Sequence, residues 1–183
     1  MRSPRPMTTP RGVEGADRTA GERGTERSPL GPLWYLVAVY IVAGLGGLAV
    51  SQGIPGWYAN ARQPSFGPPN WIFSIAWILL YTVIGIAAWL VSERRPEAPE
   101  RVSRALRLWW VQLILSGVFT PFFFLFHWMT ISMVIITLLD VAIVATMVRF
   151  AGVRRQATWL MVPWLLWILF VTALAAEFTR LNA

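Results

Sequence analysis

Long apolar segments alternate with short polar ones along most of the chain, and five of the apolar segments are each about 20 residues long. An α-helix rises 1.5 Å per residue, so ~20 residues cross the ~30 Å hydrocarbon core of a bilayer. Helices at the surface of a soluble protein would carry a polar face, which these segments lack. The pattern therefore predicts an all-α membrane protein, a bundle of five transmembrane helices at residues 33–51, 71–91, 106–126, 130–150 and 157–178.

The N-terminal segment, residues 1–32, has a different composition. It is rich in Arg, Gly, Pro and Thr and has few residues that could be buried, so we expect a disordered tail preceding a membrane domain at 33–183. The first apolar run could instead be a signal peptide cleaved near Ala49-Val50-Ser51. That reading is disfavoured because the run exceeds the 7–15 residues typical of a signal peptide's apolar region.

Charge is distributed unevenly along the chain. All sixteen basic residues are arginine, and the net charge is +7. Most arginines precede helix 1 or lie between helices 2 and 3 and between helices 4 and 5, whereas the opposite side carries only Arg62 and Arg180. The positive-inside rule therefore predicts a cytoplasmic N-terminus and an external C-terminus in a bacterial cell membrane, and it explains the basic charge without a nucleic-acid partner.

Aromatic residues suggest where a ligand could bind. Most of the eleven Trp residues lie near helix ends, as in an interfacial belt, but Trp77, Trp164 and Trp167 lie deeper. Side chains spaced three or four residues apart share one face of a helix. Such stripes on helices 2, 3 and 5 predict a pocket for a flat, apolar ligand, although a filled five-helix core would show the same periodicity. The candidate ligand-binding residues are Tyr58, Phe73, Trp77, Tyr81, Ser116, Phe119, Phe123, Trp164, Trp167 and Val171.

The segment between the first two helices, residues 52–70, contains four prolines and an aromatic pair. Proline reduces the freedom of the unordered chain, so ordering such a loop costs less. We expect a lid over the outer end of the cavity; the alternative is a connector resting among the lipid headgroups. The lid residues would be Trp57, Pro64, Phe66, Pro68 and Pro69.

One long motif runs from this loop into the second helix: Trp57-Tyr58, Pro64, Pro68-Pro69, Trp71, Phe73, Trp77, Leu80-Tyr81 and Gly85. It resembles the motif of the TspO/MBR family of tryptophan-rich sensory proteins, to which the mitochondrial translocator protein is related. The resemblance covers residues 33–183. Further matching positions are Gln112-Leu113, Leu115 and Phe123-Phe124 in helix 3, and Pro163, Leu165, Trp167, Phe170, Leu174 and Leu181-Asn182 in helix 5.

The resemblance implies a five-helix bundle, often a homodimer, whose cavity binds porphyrins and, in relatives, sterols or drugs. It implies no required cofactor; porphyrin or haem would be the ligand. The family's pocket positions correspond here to Tyr58, Trp77, Ser116, Phe119, Trp167 and Val171. Ser116 replaces an Asn and Val171 a smaller Ala, which removes a hydrogen-bonding amide and narrows the wall.

The sequence is compatible with three functions. The leading one is a membrane receptor, sensor or transporter for a tetrapyrrole or another hydrophobic ligand. The alternative is light-dependent oxidative degradation of bound porphyrin, with Trp77 and Trp167 as electron donors. The third is a structural partner protein that binds no ligand.

Two ionisable residues occupy unusual positions. His127, the only histidine, could be an axial haem ligand, but a lone interfacial histidine is more often solvated, and no second His or Cys completes a metal site. Asp140 lies near the middle of helix 4, where a charged carboxylate is costly. We expect a neutral Asp140 that is hydrogen-bonded within the bundle or at a dimer seam; coupling of its protonation to transport is the alternative.

Overall fold

The computed structural model describes residues 31–182, and the regular structure in that range is helical. Five helices follow one another: α1 (Gly31–Gly53), α2 (Asn70–Ser92), α3 (Pro99–Phe124), α4 (Met129–Ala151) and α5 (Arg155–Asn182). Each is long and apolar enough to cross a membrane. The predicted all-α bundle of five transmembrane helices is thereby confirmed, and the chain is a multi-pass integral membrane protein.

Most helix boundaries extend beyond the apolar runs; the exception is the C-terminal end of α3, which stops at Phe124 rather than at residue 126. The tail predicted for residues 1–32 lies outside the described residues except for its last two, which already belong to α1. The largest difference is at α3, which begins at Pro99 rather than at residue 106. Its first two turns carry exposed charges, so hydropathy alone does not detect them. They are helical because Val102, Ala105 and Leu106 are buried along one face.

The segment after α1 is more helical than predicted. Residues 52–53 complete α1, and the chain then forms a π-helical turn, Ile54–Tyr58, which bends at Gly56 (φ −104°, ψ −105°). The loop between α1 and α2 is therefore residues 61–69 rather than 52–70. The Gly and Pro residues that suggested a loop are accommodated because the rings of Trp57 and Tyr58 pack against Phe178 of α5, with centroids 5.3 and 5.1 Å away.

The helices pack in a fixed set of pairs. Helix α1 contacts α2 and α3, α2 contacts α5 and, less extensively, α3, and α4 contacts α3 and α5. We call the end of the bundle that bears residues 61–69 the loop end. At the opposite end, the Arg154 guanidinium donates to Glu93 (2.7 Å) and to the Leu90 carbonyl (3.2 Å), which ties the α4–α5 turn to α2.

Asp140 faces α5. The Thr172 hydroxyl oxygen lies 2.9 Å from Asp140 Oδ2 and 2.9 Å from the Ile168 carbonyl oxygen. A single hydroxyl hydrogen cannot serve both acceptors fully. Both contacts become hydrogen bonds if Asp140 keeps its proton and donates to Thr172, which then donates to Ile168. This geometry is compatible with the neutral, hydrogen-bonded Asp140 that the sequence predicts.

Replacing Asp140 with asparagine is expected to leave the amount of folded protein in the membrane nearly unchanged. The asparagine amide can donate to Thr172 as a protonated carboxyl does, and insertion no longer involves a carboxylate. Thermal unfolding of the purified protein would measure the effect, with Thr172→Val as the partner variant. A marked loss of folded Asp140→Asn protein, alongside a stable Thr172→Val, would contradict the prediction, because it would show that the ionised carboxylate is needed.

Candidate functional site

A cavity of about 350 Å³ lies in the loop-end half of the bundle, between α1, α2, α3 and α5. Its volume is at the lower end of the roughly 300–1,000 Å³ that small-molecule sites occupy. The walls are mainly aromatic and aliphatic. The lining residues are Ala43, Gly46, Gly47, Val50, Ile54, Tyr58, Asn70, Phe73, Ser74, Trp77, Ile78, Tyr81, Phe119, Thr120, Phe123, Phe124, Val171, Leu174, Ala175 and Phe178.

Seven of the ten candidate ligand-binding residues lie on this wall: Tyr58, Phe73, Trp77, Tyr81, Phe119, Phe123 and Val171. Their stripes therefore face one interior space. Trp77 and Tyr81 stack with ring centroids 5.5 Å apart and an interplanar angle of 28°. This stacked pair presents a continuous aromatic surface on α2, of the kind that a flat ligand can cover.

The other three candidates lie behind the wall. The Ser116 hydroxyl is 3.1 Å from the Tyr81 hydroxyl and donates to the Leu113 carbonyl (2.9 Å). Ser116 therefore accepts from the Tyr81 hydroxyl and fixes the position of the Tyr81 ring. Trp164 is fully buried, with its ring centroid 5.6 Å from that of Trp77. Trp167 meets Trp77 edge-on at 6.4 Å. These three residues support the wall and do not line the cavity.

Small residues of α1 contribute to the wall, although the aromatic stripes gave no sign of them. Ala43, Gly46 and Gly47 line the cavity, as does Ala175 of α5. The spacing of Ala43 and Gly47 suggests close helix packing. At Gly46 α3 does come near, since an added Cβ would lie 3.5 Å from Thr120, but an added Cβ at Gly47 would meet nothing within 4 Å. The small side chains thus leave open space, which only the packing of the neighbouring helices reveals.

The residues predicted to form a lid do not line the cavity. Phe66 packs against Phe170 of α5 with centroids 6.4 Å apart, and Pro64 is buried. Trp57 lies against Phe178 and His127, while Pro68 and Pro69 lead into α2. The wall at the loop end is formed instead by Ile54 and Tyr58 of the π-helical turn. The loop 61–69 packs beside this wall, against α5.

Two hydrogen bonds hold the loop to the last turn of α5. The Arg62 backbone N–H donates to Asn182 Oδ1 (2.9 Å), and Asn182 Nδ2 donates to the Arg62 carbonyl (2.9 Å). Gln63 Nε2 also donates to the Tyr58 carbonyl (2.6 Å), which joins the loop to the π-helical turn. The side-chain amide of Asn182 therefore pairs with a loop residue as a neighbouring strand would.

Replacing Asn182 with alanine is expected to release the loop. Loss of both bonds should cost about 1–2 kcal/mol locally and expose the peptide bond after Arg62 to trypsin. Limited proteolysis in detergent would measure the rate of that cleavage. Thr179→Ala is the matched control, because the Thr179 hydroxyl donates only within α5, to Ala175. Equal cleavage rates in both variants would contradict this role for Asn182.

His127 lies in the turn between α3 and α4 with φ 56°, a left-handed conformation that histidine tolerates better than most residues. Its ring packs against Trp57 with centroids 4.3 Å apart, and it is exposed. Within residues 31–182, no three His, Asp or Glu side chains lie close enough to hold a metal ion.

The chemistry of the wall limits what could bind. Polar groups on it are neutral: the Tyr58 and Tyr81 hydroxyls, Ser74, Thr120 and Asn70. Because the lining within residues 31–182 contains no charged side chain, it suits a ligand whose buried part is flat and uncharged. A few hydroxyls would orient such a ligand.

Known proteins resemble this chain across most of its length. The sequence profile of the TspO/MBR family matches residues 35–181. Protein CrtK of Rhodobacter capsulatus is 36% identical over 151 residues, covering 80% of this chain and 92% of that protein. Tryptophan-rich protein TspO of Archaeoglobus fulgidus is 34% identical over 148 residues, covering 81% and 94%. The translocator protein of Homo sapiens is 33% identical over 118 residues, covering 64% and 70%.

Proposed function

Because this chain belongs to the TspO/MBR family, as its loop motif predicted, we propose that it is a membrane receptor, sensor or transporter that binds a porphyrin or another flat hydrophobic molecule in the cavity. The observation that carries the proposal is the stacked pair of Trp77 and Tyr81 on a wall without charges. Trp164 backs both rings, with centroids 5.6 and 5.4 Å away. The aromatic surface is therefore held in place before a ligand arrives, which lowers the entropic cost of binding.

Titration of protoporphyrin IX into the detergent-purified protein in the dark would test this proposal. We expect saturable quenching of tryptophan fluorescence at about one ligand per chain. Trp77→Phe should weaken binding most, and Trp167→Phe less, because only Trp77 lines the cavity. Trp159→Phe is the matched control, since that ring is 73% exposed on the outer surface of α5. Non-saturable quenching, or equal effects of all three changes, would overturn the proposal.

A second function, light-dependent oxidation of bound porphyrin, is favoured by the arrangement of the same rings. Trp77, at the wall, has Trp164 and Trp167 behind it with centroids 5.6 and 6.4 Å away. Dioxygen would be the oxidant: the excited ligand would take an electron from Trp77 and pass it to dioxygen, and the superoxide formed would attack the ligand. The electron lost by Trp77 would be replaced from Trp164 or Trp167. Illumination should then bleach the porphyrin spectrum in proportion to protein, and Trp77→Phe should abolish the bleaching. Bleaching at the same rate without protein would exclude this function.

The membrane orientation is part of the proposal. Arginines cluster at the end of the bundle opposite the loop, in the α2–α3 and α4–α5 connections. At the loop end, Arg180 is paired with Glu177. We infer a bacterial cell membrane with the N-terminus in the cytoplasm and the loop end outside. A homodimer is also proposed, through α1, the least buried of the five helices. Reporter fusions at either terminus and cross-linking in membranes would test these two points.

A further inference from the structure

Helices α1 and α2 are in close contact from the middle of the bundle toward the end opposite the loop. The Tyr40 and Thr82 hydroxyl oxygens lie 2.6 Å apart. At Gly85, an added Cβ would lie 3.1 Å from a Leu36 methyl and 3.4 Å from a Val39 methyl. This half of the α1–α2 seam is therefore closed by direct packing.

The same two helix faces separate toward the loop end. Ser74 and Ile78 lie eight and four residues before Thr82, on the α2 face that packs against α1 further along. Gly47 lies eight residues after Val39 on the corresponding face of α1. All three residues line the cavity and are exposed, and Ile78 is 56% exposed. The seam thus opens where the cavity begins.

No such opening is present on the other walls, all of which lie within the described residues 31–182. The cavity-lining residues of α3 and α5 are all buried or half-buried, whereas Gly47, Asn70, Ser74 and Ile78 on α1 and α2 are exposed. At the loop end, the π-helical turn Ile54–Tyr58 covers the cavity on the α5 side, where the Tyr58 ring stacks on Phe178 at 5.1 Å with an interplanar angle of 8°. The floor is formed by Tyr81, which is held by Ser116.

We propose that the gap between α1 and α2, bounded by Gly47, Ser74 and Ile78, is a lateral portal through which ligands enter the cavity from the hydrocarbon of the membrane. This inference rests on the proposed function, because it assumes that the cavity binds a ligand. It narrows the ligand class to molecules that dissolve in the bilayer. A ligand larger than about 350 Å³ would extend through the portal into the lipid.

The chain lacks cysteine, so a single engineered cysteine can report access to the cavity. Ala175 lines the cavity on α5 and is 5% exposed. In liposomes, Ala175→Cys should react with the uncharged N-cyclohexylmaleimide roughly tenfold faster or more, relative to a reference thiol, than with a sulfonated maleimide, because hydrocarbon excludes charged groups. Equal relative rates would overturn the portal, since they would show an aqueous entrance.

Adding Gly47→Trp to Ala175→Cys should block the portal and slow labelling by about tenfold. Gly44→Trp is the matched control: Gly44 also has nothing within 4 Å of an added Cβ but does not line the cavity. Ile78→Trp, with Leu79→Trp as its control, repeats the test on α2 if Gly47→Trp does not fold. Equal labelling of the blocked and control variants would overturn the portal.

Protoporphyrin IX separates the portal from the proposed function. If the unmodified protein does not bind it while labelling of the Ala175→Cys variant follows the expected pattern, the porphyrin proposal fails and the portal stands. If the protein binds it and Gly47→Trp leaves the association rate equal to that of Gly44→Trp, the portal is overturned and the proposed function stands.

Discussion

Replacing Gly53 with alanine is expected to lower the melting temperature of the protein by roughly 2–12 °C, which corresponds to about 1–3 kcal/mol of overpacking. An added Cβ at Gly53 would lie 2.6 Å from the Phe124 carbonyl oxygen and 2.8 Å from Phe124 Cβ. Neither atom belongs to the flexible end of a side chain, so the backbones of α1 and α3 would have to separate. Circular dichroism or differential scanning fluorimetry in detergent would measure the change.

The control for this prediction is Gly44→Ala, nine residues earlier in the same helix. An added Cβ there meets nothing within 4 Å, and alanine in a helix interior is favoured over glycine by about 0.5–1 kcal/mol. Gly44→Ala should therefore leave the melting temperature unchanged or raise it slightly. Equal melting temperatures for the two variants would show that α1 and α3 are not in close contact at Gly53.

Replacing Ala175 with phenylalanine is expected to weaken ligand binding by roughly 30-fold or more, or about 2 kcal/mol, while leaving the protein folded. Ala175 lines the cavity, so the new ring would occupy space that the ligand requires. Filling an apolar cavity does not leave a buried polar group without a partner, and it restores packing contacts that the empty space lacks. Protoporphyrin IX titration and thermal unfolding of the same sample would measure both effects.

Ala176→Phe is the control for this second prediction, because Ala176 is adjacent in sequence but exposed and absent from the cavity wall. It should bind protoporphyrin IX like the unmodified protein. If Ala175→Phe unfolds the protein, the cavity is smaller than described. If it folds and binds with unchanged affinity, the ligand occupies another site.

The fold could be predicted from the sequence because its determinants are local. A run of apolar residues long enough to cross the bilayer specifies a transmembrane helix without reference to its neighbours. The predicted helix boundaries are wrong where tertiary contacts determine whether a segment is helical. Residues 99–105 are charged and yet helical because one face of them packs in the bundle, and residues 54–58 remain wound despite Gly and Pro because their rings pack on α5.

The candidate site could be predicted only in part, for a related reason. Helical periodicity identifies which side chains share a face, and the stripe of Phe73, Trp77 and Tyr81 does lie on one wall. Periodicity does not distinguish a side chain that lines the cavity from one that packs behind the lining. The sequence therefore does not show that Trp164 lies behind that wall. Empty space has no sequence signature of its own. The spacing of Ala43 and Gly47 suggests that another helix packs closely there, but in the structure an added Cβ at Gly47 would meet nothing within 4 Å.

Helix α4 provides none of the cavity-lining residues, although it packs against both α3 and α5. Substitutions within it can therefore alter the rigidity of the scaffold without touching the ligand. During divergence, α4 could drift under selection for assembly alone, while changes in α1, α2, α3 and α5 would redirect ligand choice. Substitutions that change ligand preference should thus map to α1, α2, α3 and α5, and compensatory stabilising substitutions should accumulate on α4.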